Sequence, residues 1–186
     1  ARWTSAADYL LRVWLGKDRV AEAMATGTGL LSVKTGDWSE LALEIAGIDR
    51  STLPPVVSRR EPVTGLRASW AGRWPELAGI PWYPPVGDGA CANVGSGATT
   101  NRRMALTVAT TGAVRGITAA PIGTAFPVPD GLWAYRLDPD RVVIGAAITN
   151  GGSVPAWISR LTGLEVGDES LGDQIDAVPD SHGLTI

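Results

Sequence analysis

From Met104 to Leu161 the chain permits little besides two hairpins followed by a helix. Apolar runs at 104–109 and 113–118 flank Thr110-Thr111-Gly112, and runs at 132–137 and 142–149 flank Asp138-Pro139-Asp140. Short β-branched and apolar runs separated by turn residues are the pattern of paired strands. Asn150-Gly151-Gly152 then leads into an apolar-periodic stretch from Ser153 to Leu161 that reads as a helix. Nothing before residue 100 has that character. The organisation therefore changes near Gly95-Ser96-Gly97-Ala98-Thr99-Thr100, whose small polar composition suits a link.

The first half reads as helices and short extended pieces. Ser5 can cap a helix that runs to Leu15, with Asp8 three residues on and Gly16 as its stop. Gly27-Thr28-Gly29 lacks the lysine of a phosphate loop and reads as a turn into a strand at Leu30–Val33. Asp37 with Glu40 resembles a capping box for a helix through Ala46, closed by Gly47. Leu53–Val57 and Ile80–Val86 are held extended by their prolines. Trp70 and Trp74 lie four apart, one helical face, where packing is the simpler expectation and stacking on a sugar the alternative. A short helix is expected at Ala90–Val94, with Cys91 as a small buried residue on it. The stretch after Gly163 is acidic and loop-like, and includes His182.

Composition narrows the chemistry. Lys and Arg are scattered and the net charge is −3, which argues against a nucleic-acid partner and against a polybasic membrane surface. No apolar run approaches the length of a membrane span, and no signal-peptide layout opens the chain. One cysteine allows no internal disulfide and favours a reducing, cytoplasmic compartment. One histidine, His182, excludes a multi-histidine metal site and a Ser-His-Asp triad built on the central motif. Asp138-Pro139-Asp140 is a hairpin turn rather than a metal site, so no metal-ligating residue is assigned. The missing initiator Met and the apolar Leu184-Thr185-Ile186 at the end read as an excerpt of a longer chain.

Two stretches carry chemistry. Gly87-Asp88-Gly89 presents a carboxylate on a nearly bare backbone. Thr110-Thr111-Gly112 offers hydroxyls and backbone N–H groups in a tight turn, which suits phosphate oxygens. A base beside a phosphate cradle is the requirement of phosphoryl transfer to an alcohol. Taken alone, Asp88 also fits a plain turn aspartate, and the threonines a polar hairpin turn.

The hairpin-hairpin-helix order with such a turn is the start of an actin-like or ribonuclease-H-like ATPase domain. The motifs resemble those of the FGGY carbohydrate kinases, gluconate-kinase-like branch. Gly87 to Gly97 is similar to its Gly-Asp-Gly-Ala-Cys-Ala-Asn-(apolar)-Gly-Ser-Gly, and Thr107 to Arg115 to its Thr-(x)-Gly-Thr-Ser-Gly-Ala-(apolar)-Arg. Asp8-Tyr9-Leu10, Ala25 to Leu31, Gly36-Asp37-Trp38, Gly131 to Asp138 and Asn150-Gly151-Gly152 with Trp157 extend the likeness over nearly the whole chain.

The resemblance implies a partial α/β actin-like fold. Residues 1–98 would be the later part of the sugar-binding first domain, and 99–186 the beginning of the nucleotide-binding second. It implies ATP with Mg²⁺ and a sugar or sugar-acid acceptor, gluconate-like or a pentulose. It carries the general base, which also contacts the sugar, onto Asp88, the phosphate contacts onto Thr110, Thr111 and Gly112, and nucleotide-side contacts onto Asn150, Gly151 and Gly152. Ala109 departs from the family glycine, and its methyl group could crowd a phosphate. Two family motifs, the Asp-x-Gly-Thr hairpin and the adenine-binding glycine-rich segment, are not found in these residues. The 186 residues alone are therefore expected to be inactive, and exposed strand edges to favour a homodimer. The alternative is a non-catalytic actin-like module that binds a sugar or a partner. Arg115 fits either a phosphate contact or a solvated strand-end arginine.

Overall fold

The computed structural model describes residues 3–163. They divide into two compact units. One comprises the described residues up to Leu106 with Val114–Ala146, the other Thr107–Ala113 with the described residues from Ala147.

The first unit opens with helix α1 (Ala6–Leu15). Ser5 caps it, its Oγ accepting the Asp8 N–H at 3.1 Å, and Gly16 closes it in the left-handed conformation (φ 68°). Leu11 and Leu15 face inward onto Val63 and Leu66, with Trp14, Trp70 and Trp82 around them. Trp70 and Trp74 stack on each other, centroids 5.2 Å apart, so the tryptophan pair is packing, as the spacing suggested. The short strand β1 (Val20–Ala21) pairs in parallel with β2 (Val56–Val57), and α2 (Glu22–Ala25) follows β1 directly.

Leu30–Val33 does not form a strand. Leu31 makes an isolated bridge to Trp38, and the chain between them turns through Gly36. Helix α3 (Glu40–Ala46) is capped by Ser39, whose Oγ accepts the Ala42 N–H, and not by Asp37. Asp37 instead accepts the Trp38 N–H and pairs with Arg50 at 2.6 Å. Ser39 stands directly before the first helical residue, Glu40, while Asp37 is two residues further back, out of the capping position. Trp38 is buried among Val20, Ala25, Leu31 and Leu43, and its indole N–H donates to the Pro54 carbonyl. Helix α4 (Ala68–Ala71) is a single turn.

Helix α5 (Asp88–Gly95) begins two residues before the expected Ala90. Cys91, expected to be buried, is exposed. The face of α5 that packs inward is set by Ala90 and Asn93, which places Cys91 on the outer side.

A four-stranded sheet follows in the order β3-β4-β6-β5, with β3 (Met104–Val108), β4 (Gly112–Ala119), β5 (Trp133–Asp138) and β6 (Arg141–Ile148). Strands β5 and β6 are antiparallel, with Trp133 opposite Gly145 and Tyr135 opposite Val143. A side chain at Gly145 would strike the Trp133 ring within 2.7 Å, so this glycine makes room for the indole. Helix α6 (Ser153–Thr162) ends at Gly163, and its start matches the expected Ser153. His182 and the stretch after Gly163 lie outside the described residues.

The turn between β5 and β6 holds a buried ionic cluster. Arg136 and Asp138 are both fully buried. Arg136 donates through Nε to the Val33 carbonyl at 2.6 Å and through one terminal nitrogen to the Ala120, Asp138 and Pro139 carbonyls. Asp138 Oδ2 receives Arg141, Arg59 and Arg60. These bonds fasten the hairpin to residues 20–60 within the first unit. No helix among the described residues is long and apolar enough to cross a membrane.

Candidate active site

Asp88 is the first residue of α5, and Gly87 precedes it in extended conformation. The side chain is exposed, and Oδ1 accepts the N–H of Gly89 at 2.7 Å. A negative group at this end complements the helix dipole. None of the ion pairs among the described residues involves it.

Two contacts hold α5 in place. Ala90 is buried against Ile117, Leu137 and Val143, where its small side chain lets the helix approach the sheet. Asn93, fully buried, donates through Nδ2 to the Arg115 carbonyl at 3.0 Å. The helix carrying Asp88 is thereby tied to the strand carrying Arg115. Sequence reasoning missed Asn93, although it stands within the Gly-Asp-Gly-Ala-Cys-Ala-Asn motif.

Asp88 opens onto a cleft of about 440 Å³ whose other walls include Thr26, Gly27, Arg115, Trp133 and Tyr135. Trp133 and Tyr135, two apart on β5, stack with centroids 5.5 Å apart. Burial pushes the Tyr135 phenol above its ordinary range; Arg115 pulls it down and Asp88 pushes it up. The phenol therefore stays protonated at neutral pH and can donate. A Cβ at Gly89 would lie 3.0 Å from the Tyr135 hydroxyl and 3.4 Å from Arg115 Nε, so this glycine lets both groups close on the start of α5. Gly27 and Gly87 differ. Neither has a positive φ, and a Cβ on either would meet nothing within 4 Å. Neither backbone nor packing demands glycine there, and the space they leave is cleft.

The second unit contains the other motif residues. Between β3 and β4, the Ala109 N–H donates to the Thr111 carbonyl at 2.8 Å. Gly151 N–H donates to the Thr110 carbonyl at 2.9 Å, Gly152 N–H to the Ala109 carbonyl at 2.5 Å, and Ser153 Oγ to the Thr110 carbonyl at 3.3 Å. The carbonyls of the turn are thus occupied. The Thr110 and Thr111 side chains are exposed, while Gly112 is buried beneath Ile148. A turn whose acceptors are used and whose hydroxyls face outward fits an anion. Thr110, Thr111, Gly112, Gly151 and Gly152 are brought together, and Asn150 lines a neighbouring cleft of about 490 Å³ with Ser153, Trp157 and Arg160. Ala109 has no positive φ, so its methyl group imposes no backbone strain.

Gly151 is where glycine is obligatory. A Cβ there would lie 2.8 Å from the Thr111 carbonyl carbon and 2.9 Å from the Ala109 and Thr111 oxygens, all backbone. Gly151→Ala is expected to destabilise the protein by about 1–3 kcal/mol by forcing the turn off α6. A thermal melt checks this, and an unchanged midpoint would show that the turn relaxes freely.

Comparison with known proteins places the chain. Residues 1–95 match the FGGY family of carbohydrate kinases, N-terminal domain. The chain belongs to the FGGY family. A gluconokinase of Bacillus subtilis (strain 168) is 30% identical over 158 residues, covering 81% of this chain and 29% of the relative. Among solved structures, gluconate kinase from Lactobacillus acidophilus superimposes with a TM-score of 0.78 at 24% identity, over 96% of this chain and 36% of that one. A ligand-bound xylulose kinase from the same organism gives 0.74 at 25% identity, over 87% and 32%. The fold is that of the FGGY kinases, a partial actin-like α/β arrangement. The chain spans about 29% of the length of the curated relatives it matches.

Proposed function

We propose that this FGGY chain carries the general base of an ATP-dependent kinase for a sugar or sugar acid, gluconate-like or a pentulose. Asp88 takes the proton of the acceptor hydroxyl, the oxygen forms its bond to the γ-phosphorus, and the bond to the bridging oxygen breaks to release ADP. The observation that carries this is an exposed carboxylate with no ion-pair partner among the described residues, held by Ala90 and Asn93 at the edge of a cleft with an arginine and a phenol.

Thr110, Thr111 and Gly112, with Asn150, Gly151 and Gly152, are the proposed phosphate side. The occupied carbonyls and outward hydroxyls of that turn support the reading. Magnesium would neutralise charge on the phosphates; it is held mostly by phosphate oxygens and water, and needs no dedicated protein cage. We place the enzyme in the cytoplasm, where a lone, exposed Cys91 remains reduced. Met104, Leu106 and Val108 on the edge strand β3 are 64–70% exposed, which supports self-association of the chain.

The 186 residues alone are expected to release no ADP above background with any sugar, because two of the family's phosphate and adenine motifs are not among them. A coupled assay of ADP release tests this. Turnover at an ordinary kinase rate, about 1–100 s⁻¹, would overturn it. In the full-length protein the same assay with gluconate and D-xylulose tests the kinase reading itself. Sugar binding without turnover would favour the non-catalytic module.

A further inference from the structure

We propose that a second cavity, between the start of α1 and the core around Trp38, binds a small primary amine on an apolar body, with Asp8 receiving the ammonium group. The proposal is independent of the kinase reading, because no residue lines both this cavity and the Asp88 cleft. The cavity holds about 300 Å³, and its wall is mainly apolar, with Val20, Met24, Leu30, Trp38, Ile48 and Leu53. The Trp38 indole N–H is already given to the Pro54 carbonyl, so the ring adds no free polar group. Asp8 is the sole charged residue among the described lining residues, and it is only 3% exposed.

The helix accounts for one half of this carboxylate. Ser5 Oγ accepts the Asp8 N–H and donates to Asp8 Oδ2 at 2.6 Å, which closes the first turn of α1. The other oxygen, Oδ1, is buried and has no hydrogen-bond partner among the described residues. None of the ion pairs among those residues reaches Asp8. The helix dipole favours a negative group in the first turn, but it brings no donor to Oδ1. Burial pushes the Asp8 carboxyl above its ordinary value, and the Ser5 hydrogen bond offsets this only in part. A buried carboxylate is costly until a cation pairs with it, and an ammonium group brings both the charge and the missing donor. A hydroxyl brings the donor without the charge, and an anion is repelled. The volume is at the small end for ligand pockets, so one aromatic ring or a short alkyl chain fills it.

The test compares 2-phenylethylamine with 2-phenylethanol, which has the same body and a neutral hydroxyl, by calorimetry on the full-length protein. Wild type is expected to bind the amine about 10- to 100-fold more tightly than the alcohol. Asp8→Asn keeps the shape and can still accept the Ser5 hydroxyl, and it should bring the amine down to the level of the alcohol. The inference is overturned if the two ligands bind wild type equally, or if Asp8→Asn retains the preference. It is equally overturned if neither binds at millimolar concentration, which marks a cavity filled by water or by other residues of the chain. If Asp8→Asn fails to fold, crystals of the wild-type protein with the amine decide. The nitrogen is expected about 2.7–2.9 Å from Asp8 Oδ1. An amine bound elsewhere, or a cavity without one, overturns the assignment.

Discussion

On the proposed role of Asp88 as general base, Asp88→Asn is expected to lower kcat of the full-length protein by about 10²–10⁴-fold, the usual contribution of such a group. Gluconate affinity should change little. The amide has the shape of the carboxylate and can accept the same Gly89 N–H, but it cannot take a proton from the acceptor hydroxyl. Asp88 is exposed and makes no ion pair among the described residues, so the substitution should also leave the thermal midpoint close to wild type. That combination separates a chemical role from a structural one. A variant within tenfold of wild-type kcat would remove Asp88 as the base.

The largest stability effect is expected at Asp138. Its carboxylate is fully buried and receives Arg141 Nε at 2.9 Å and the Arg141 terminal nitrogen at 2.6 Å. Arg59 follows at 3.3 Å and Arg60 at 3.1 Å, while Oδ1 accepts the Asp140 N–H at 3.0 Å. Beside it, fully buried Arg136 bonds only to carbonyl oxygens and one hydroxyl among its described partners. The negative charge that acts on Arg136 comes from Glu22 first, then Asp138 and Asp140. Asp138→Ala leaves the arginines without its carboxylate and should cost about 3–5 kcal/mol, the range for breaking a buried ion pair. For a chain of this size that is a fall of about 10 °C in Tm. A variant that melts within a degree or two of wild type would show the cluster to be energetically neutral.

The same residue sets an acid limit. Burial alone would raise the Asp138 carboxyl, but the hydrogen bonds from Arg141, Asp140 and Arg60 outweigh it and hold the pKa at about 2, against 3.8 for the unperturbed group. Because the folded value is the lower one, the stabilisation is complete above pH 4 and is lost as pH falls toward 2. It amounts to about 2 kcal/mol. Denaturant melts of wild type and Asp138→Ala between those values should therefore converge. A constant gap would assign the acid sensitivity to other groups.

The local features were legible because they depend on a few adjacent residues. Ser5 and Gly16 bound α1, Gly47 stops α3, and the two hairpins lie where alternation and turn residues put them. The misreadings have local competitors. Ser39 takes the cap from Asp37, and Leu30–Val33 lacks a partner beyond one bridge, so it never becomes a strand. Arg136 and Asp138 were opaque for a different reason. Asp138 looks like a polar turn residue and Arg136 like an ordinary strand residue, and what buries them comes from Val33 and Arg59, far away in the chain.

The candidate site divides the same way. Asp88 and the Thr110–Gly112 turn stand out as motifs in the sequence. The packing around each of them does not. Arg115 and Tyr135 close on Gly89, the residue after Asp88, where a side chain would crowd them, and Asn93 fastens α5 to β4. Gly151 and Gly152 approach Ala109 and Thr111 only because they lack side chains. In both places the residue type was visible, and its partner was not.

The most direct measurement is a crystal structure of the full-length protein with gluconate and a non-hydrolysable ATP analogue. The account predicts an Asp88 carboxylate oxygen about 2.6–3.2 Å from the one gluconate hydroxyl that faces the γ-phosphorus. A sugar whose phosphate-facing hydroxyl bonds to another group, with Asp88 turned away beyond hydrogen-bond reach, would contradict it.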